Sequence, residues 1–172
     1  MASIINVDQI RNAAGTNGLT LDASTGKASF PNGATLPAGS VAQVVSNVTT
    51  ANISTASISF VSTGLSASIT PSSTSSKVFV IVSSPSWYID TNNAYATVFR
   101  DSTNIGNGDY GLMMVYNTAN YAPSTMQVMD SPSSTSSLTY SVHFRAVTSG
   151  ATTYISYSTY GQFTITLMEI AQ

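Results

Sequence analysis

The stretch Leu138-Thr139-Tyr140-Ser141-Val142-His143-Phe144-Arg145-Ala146 decides the fold class. Leu138, Tyr140, Val142, Phe144 and Ala146 alternate with Thr139, Ser141, His143 and Arg145, the period-two pattern of a strand with one buried face. Outward from it, the same alternation returns at Leu65-Ala67-Ile69, Tyr95-Thr97-Phe99 and Phe163-Ile165-Leu167. Turn-forming clusters at 71–76, 90–93, 104–109, 132–137 and 148–150 separate these segments. No segment repeats apolar residues at helical spacing, and the helix-poor residues Ser, Thr, Asn and Gly dominate. Short strands at regular intervals predict an all-β domain, a sandwich or barrel. About eight strands fit between residue 41 and the C-terminus, a count suited to a jelly-roll-like antiparallel β-sandwich.

The first forty residues read differently. Ile4, Ile5, Val7, Ile10, Leu19, Leu21, Phe30 and Leu36 are nearly all their large apolar groups, with turn signals at Gly15-Thr16-Asn17-Gly18, Ser24-Thr25-Gly26 and Pro31-Asn32-Gly33. A segment of about 40 residues or fewer rarely buries enough surface to fold alone. It needs a partner, either its own sandwich, another copy or a larger assembly. Pro37-Ala38-Gly39 marks the junction, which divides the chain into a β-rich N-terminal anchoring segment, 1–40, and a head domain, 41–172.

Composition narrows the function classes. Of 172 residues only 7% are charged, against about 25% in ordinary soluble domains. About 52 serines and threonines, roughly 30% of the chain, fill the gap. At 42% hydrophobic residues the sequence still has enough apolar material for a core, so it does not read as disordered. Five basic against seven acidic residues provide no patch to neutralise phosphates, which argues against a nucleic-acid binder. The absence of cysteine excludes a disulfide framework and thiolate zinc sites. The longest apolar run, Val78-Phe79-Val80-Ile81-Val82, is far too short for a membrane-spanning helix, and the N-terminus gives no sign of a secretory signal. A small outer-membrane barrel would fit the alternation, but regular aromatic girdles are missing.

Two strands, 77–82 and Leu112-Met113-Met114-Val115-Tyr116, are apolar on both faces. A sandwich strand normally buries one face, so something must cover the second, and a homo-oligomer is expected. The sequence also echoes itself. Thr70-Pro71-Ser72-Ser73-Thr74-Ser75-Ser76 returns as Ser131-Pro132-Ser133-Ser134-Thr135-Ser136-Ser137, each time before a strong strand. The echo fits one loop type used at related corners, shaped by side-chain bonds to nearby backbone.

Motifs that could carry chemistry are weak. His143 is the single histidine, and with so many serines, a serine beside it would not by itself make a triad. Gly26-Lys27 lacks the earlier glycine and the following Ser/Thr of a phosphate-binding loop. Asp90-Thr91-Asn92-Asn93 opens like a calcium loop, but Tyr95 stands where glycine is required and Asp101 where a glutamate belongs. Asn47-Val48-Thr49 and Asn52-Ile53-Ser54 match the glycosylation sequon, as a chain this rich in Ser and Thr does by chance. No metal or cofactor site is expected. The aromatics remain: Trp87-Tyr88 between Pro85 and the Asp90 loop, and Tyr110, Tyr116 and Tyr121 around an Asn-rich loop ending at Pro123. Such residues in loops suit stacking on sugar rings or packing at an interface, and Trp87 equally suits a core anchor.

The opening Ser3-Ile4-Ile5-Asn6-Val7-Asp8-Gln9-Ile10-Arg11-Asn12, then Gly18-Leu19-Thr20-Leu21-Asp22 and Pro37-Ala38-Gly39-Ser40-Val41, resembles small virion proteins of marine and cyanobacterial tailed phages. These are described as tail-fibre-like or head-decorating. Blocks at 69–82, 99–106, 130–137 and Thr166-Leu167-Met168-Glu169-Ile170-Ala171 are similar too, so that a little over half the chain is covered. The resemblance implies a homotrimeric virion protein, assembled in the host cytoplasm, whose N-terminal segment docks on other virion proteins beneath a C-terminal sandwich head. It brings no catalytic residues. Segments 86–94 and 107–125 fall outside it and are where contacts with a host-surface glycan or protein are expected, with Trp87, Tyr88 and Tyr121 as the contact residues. Capsid decoration is the nearest alternative. A polysaccharide depolymerase is a further one and would need an acidic cleft drawn from Asp90, Asp101, Asp109 and Asp130.

Overall fold

The computed structural model describes residues 9–11, 14–15, 17–22, 24–29, 36–89, 93–116, 121–157 and 160–172. The apolar opening at 4–7, the turn at 31–33, the calcium-like start at 90–92 and the Asn-rich loop at 117–120 lie outside the described residues. The chain divides into two units, Met1–Leu36 and Pro37–Gln172.

The N-terminal unit holds three antiparallel strands, β1 (Gln9–Arg11), β2 (Asn17–Leu21) and β3 (Ala28–Ser29), in that order across the sheet. None of its described side chains is buried, and Ile10 and Leu21 are exposed. Gly26-Lys27 sits in the tight turn between β2 and β3. There the Asp22 carboxylate accepts bonds from the hydroxyls and amides of Ser24 and Thr25. Those bonds, the Ser24 hydroxyl first, hold Asp22 at about 2, below the ordinary carboxylate value.

The second unit is a pair of antiparallel sheets. Its strands are β4 (Val41–Thr49), β5 (Ile53–Thr55), β6 (Val61–Ile69), β7 (Lys77–Ile89), β8 (Ala94–Arg100), β9 (Thr103–Asn104), β10 (Met113–Val115), β11 (Ala122–Asp130), β12 (Leu138–Ala146), β13 (Thr153–Ser156) and β14 (Phe163–Ile170). One sheet runs β4-β14-β7-β11, with β13 and β5 continuing it beside the far half of β7. The other runs β6-β12-β8-β10, with β9 folded back on β8. No α-helix occurs among the described residues. The core between the layers is built from Leu65 and Ile69, Val78, Val80 and Val82, Ala94, Ala96 and Val98, Tyr140, Val142 and Phe144, and Phe163, Ile165 and Leu167. The alternation read from 138–146 is β12 itself, with every second side chain buried.

Strand β8 reverses the phase that its large residues suggest. Its small residues Ala94, Ala96 and Val98 face the core, while Tyr95, Thr97 and Phe99 face outward. They are covered there: His143 stacks on Phe99, Tyr110 meets Tyr95, and the 105–112 segment lies across the strand. Gly111 permits this approach. Its φ is +70°, and a Cβ there would run into the Ala96 carbonyl.

Trp87 and Tyr88 belong to β7 and not to a loop. Pro85 does not end the strand because the ladder slips there: Ser84 pairs with Ser124 and Trp87 with Ala122, leaving an extra residue on β7. The bulge turns Ser86 and Trp87 inward together.

The two Ser-rich segments connect β6 to β7 and β11 to β12, each crossing between the sheets. Register places both at one end of the sandwich, with the start of β4 and the end of β14. Glu169, fully buried at this end, accepts the amide and hydroxyl of Ser72 and the Gln43 side-chain amide. Burial opposes its charge, but bonds from Ser72, Gln43 and Ser76 outweigh that and lower its pKa to about 2. Nearby, both oxygens of Asp130 accept from Arg100 Nη1, and one of them also accepts from the buried Tyr140 hydroxyl. Asp101 accepts the Thr139 amide at 3.0 Å.

The outer face of the β4-β14-β7-β11 sheet carries an apolar row. Val44 lies opposite Met168, Met168 opposite Phe79, and Phe79 opposite Met129, so all four side chains share that face. Val44 and Met129 are about half exposed, at 55% and 48%. This is the second face of the 77–82 segment. Edge strand β4 has no charged residue and no proline to discourage pairing, whereas β11 on the opposite flank has Pro123 and Asp130.

Candidate contact surface

At the end opposite the Ser-rich loops, β7, β11 and β13 bring tyrosines together. Tyr88 lies one residue before the end of β7, Tyr121 immediately precedes β11, Tyr154 lies in β13, and Tyr157 and Tyr160 follow it on the way to β14. Ring centroids are 5.0 Å apart for Tyr88–Tyr121, 5.9 Å for Tyr88–Tyr154, 5.4 Å for Tyr121–Tyr157 and 4.6 Å for Tyr121–Tyr160. Tyr157 also contacts Tyr154 and Tyr160. Five rings therefore form one continuous patch. Tyr121, at its centre, is 40% exposed and Tyr160 51%. Desolvation by the surrounding rings, then repulsion from Tyr157, Tyr160, Tyr88 and Tyr154, raises the Tyr121 hydroxyl above the ordinary tyrosine value. At neutral pH that hydroxyl is a neutral donor and acceptor.

Trp87 is not part of this surface. It is fully buried, its indole N–H donates to Thr153 Oγ1 at 3.1 Å, and its ring meets Phe144 edge-on at 6.4 Å. A tryptophan so enclosed cannot touch a receptor, which corrects the expectation for Trp87. Its link to the patch runs through Thr153, whose hydroxyl accepts from the indole and donates to the Tyr88 carbonyl at 3.4 Å. Of the three expected contact residues, Tyr88 and Tyr121 are brought together and Trp87 lies in the core. Tyr154, Tyr157 and Tyr160 were not singled out, although their even spacing, Tyr154-Ile155-Ser156-Tyr157-Ser158-Thr159-Tyr160, is a readable signal.

The same end continues onto the outer face of the second sheet. There the Arg145 guanidinium lies over Tyr95, 4.8 Å from its centroid, and over Phe60 at 5.4 Å. Further along that face, His143 Nε2 is 3.1 Å from Ser141 Oγ. Its Nδ1 is buried without a partner among the described residues, where a triad would need a carboxylate. Burial lowers the His143 pKa, so the ring is neutral at neutral pH. Three of the four aspartates a depolymerase would draw on are described. Asp101 and Asp130 sit at the Ser-rich end, engaged as above, and Asp109 lies at the tyrosine end, so the three do not face one cleft. No cluster of three or more metal-ligating side chains occurs among the described residues.

What this surface offers is ring faces and hydroxyls on a rigid base. Such groups stack on apolar faces and hydrogen-bond at their rims, without nucleophile or paired acid. Compared with known proteins, the sequence matches no family model and no curated protein.

Proposed function

We propose that this chain is a non-enzymatic virion structural protein of a tailed phage: a homotrimeric fibre- or spike-type component, docked to the particle through residues 1–40, whose head presents its tyrosine end to a host-surface glycan. The observation that carries this reading is the polarity of the head. The five-ring patch lies at the end opposite the one where β4 begins and where Gly39 and Ser40 pair with Ala171. Within the head, the point where the chain enters at residue 40 and the displayed rings therefore lie at opposite ends.

Two further features support it. With eight strands counted in chain order as β4, β6, β7, β8, β10, β11, β12 and β14, the sheets run 1-8-3-6 and 2-7-4-5. With the short strands β5, β9 and β13 set aside, that order supports reading the head as a jelly roll, a fold used by many viral capsid and lectin domains. The apolar row Val44-Met168-Phe79-Met129 supplies the face that sister subunits would cover.

Labelled antibody on intact particles tests the location, and light scattering on the purified chain tests the assembly. Label at the tail tip or on spikes and a mass three times that of the chain are expected. Met129→Lys, which puts a charge in the apolar row, should give a folded monomer. Label confined to the capsid would sink the fibre reading in favour of decoration, and a wild-type monomer would sink the trimer.

A further inference from the structure

An open pocket of about 340 Å³ lies at the tyrosine end, on the outer face of the second sheet. Ile58, Ser59 and Phe60 line it from the segment before β6, Gly108 and Asp109 from the loop between β9 and β10, and Arg145 from β12. Its size falls within the range of small-molecule sites. The groups that converge on it are chiefly polar: the Arg145 cation and the oxygens of Asp109 and Ser59.

The cation is unusual in this molecule. Arg145 is partly buried, and among the described residues the only ion pair is that of Arg100 with Asp130. Arg145 is held by carbonyls instead. Its Nη1 donates to the carbonyls of Ile58 at 3.2 Å and Ala146 at 3.4 Å, and its Nη2 donates to that of Asp109 at 2.6 Å. A guanidinium carries five N–H donors, so the Nε–H and one Nη2 hydrogen, on adjacent nitrogens, have no acceptor among the described residues. Adjacent donors on one fork suit a planar carboxylate bound through both oxygens. The charge is preorganised, since Phe60 and Tyr95 sandwich the guanidinium and three carbonyls fix it in place.

The rest of the pocket narrows the ligand. A bare carboxylate would satisfy Arg145 and leave the Asp109 and Ser59 oxygens unused. A neutral sugar would use those oxygens and leave the cation unpaired. A sugar carrying a carboxylate uses all of them: carboxylate on Arg145 and hydroxyls on Asp109 and Ser59. We propose that this pocket binds a uronic-acid residue of an acidic polysaccharide. The tyrosine patch at the same end would then take neighbouring sugars of the same chain. This inference rests on the host-surface role proposed above and assigns its ligand class.

The test is a titration of the full chain with sodium D-glucuronate, D-glucose and sodium acetate, followed by heteronuclear NMR. Saturable glucuronate binding is expected, about tenfold or more tighter than either control, because each control leaves one set of polar groups unpaired. Arg145→Gln should abolish it. Because Arg145 also ties two loops together, Ser59→Ala provides a second arm: it should weaken glucuronate severalfold while leaving acetate unchanged. Glucuronate bound no more tightly than acetate or glucose overturns the assignment, and so does unchanged glucuronate affinity in Ser59→Ala. Retention of the chain on an array of neutral and uronate-containing bacterial polysaccharides separates this inference from the reading beneath it. Retention on uronate-containing glycans that Arg145→Gln loses supports both. Retention that Tyr121→Ala loses and Arg145→Gln keeps overturns the pocket and leaves the host-surface role standing. Glucuronate binding in solution with no retention on any glycan overturns the host-surface role and leaves the pocket standing.

Discussion

The two ends of the sandwich solve the same problem with opposite chemistry. At the Ser-rich end, loops with almost no apolar side chains are tied down by satisfied polar groups: Glu169 holds Ser72 and Gln43, Asp130 holds Arg100 and Tyr140, and Asp101 holds the Thr139 amide. At the tyrosine end, order comes from rings packed on rings, linked through Thr153 to the buried Trp87. Hydrogen bonds consumed internally leave little to offer a partner, so the Ser-rich end is inward-looking. Ring packing leaves faces and hydroxyls available outside. A chain with 7% charged residues spends three of its seven carboxylates, Glu169, Asp130 and Asp101, on closing one end, and the other end stays chemically open.

The comparison is broken most severely at Trp87. Trp87→Ala removes a buried core ring together with its bond to Thr153, and should cost about 3–5 kcal/mol of unfolding free energy by urea denaturation. A loss below about 1 kcal/mol would mean that the tyrosine end does not depend on Trp87.

The opposite end is reached by acid. The folded pKa of Glu169, about 2, lies below its ordinary 4.5. A depressed carboxylate contributes stability that is fully present above the unfolded value and is lost as pH falls through the folded one. Unfolding free energy should therefore drop by on the order of 2 kcal/mol between about pH 5 and pH 2 from this group. Glu169→Gln should flatten that part of the profile and be less stable than the wild type at pH 7. Identical acid profiles for the two proteins would show that the Ser-rich end is not held through this carboxylate.

The smallest effect on stability is expected at the patch itself. Tyr121→Ala removes an exposed ring from the centre of the cluster and should change unfolding free energy by only about 1 kcal/mol. It should nevertheless abolish retention on a glycan surface. Stability loss comparable to that of Trp87→Ala would recast the five rings as core and not as a contact surface.

Much of the scaffold was legible. Strands β6, β12 and β14 follow from strict alternation, and the repeated Ser-rich segments do lie at related corners, although the first makes a turn at 73–76 and the second does not. The candidate surface was only half legible. Tyr88 and Tyr121 stood out beside turns, but Trp87 did too, because Pro85 reads as a strand end unless the slip opposite Ala122–Ser124 is known. Tyr95 and Phe99 advertise a buried face, yet in β8 the alanines are inside, because the facing sheet already fills the core with Val80, Val82 and Ile165. Arg145 was visible only as the polar partner in an alternation. That it faces Phe60 and the Asp109 loop depends on segments 85 and 36 residues away.

By itself, the amino-acid sequence determined the strand period, the corners, the poverty of charge and the division near residue 37, all of which are local or additive properties of neighbouring residues. Only the tertiary structure decided which faces are buried, that the tyrosines of three segments share one patch, and that Arg145 lines a pocket beside Asp109 without an ion pair among the described residues. Those outcomes depend on pairings between residues far apart in the chain. An antiparallel register fixes such pairings cooperatively, and a slip of one residue would turn every side chain of a strand to its other face.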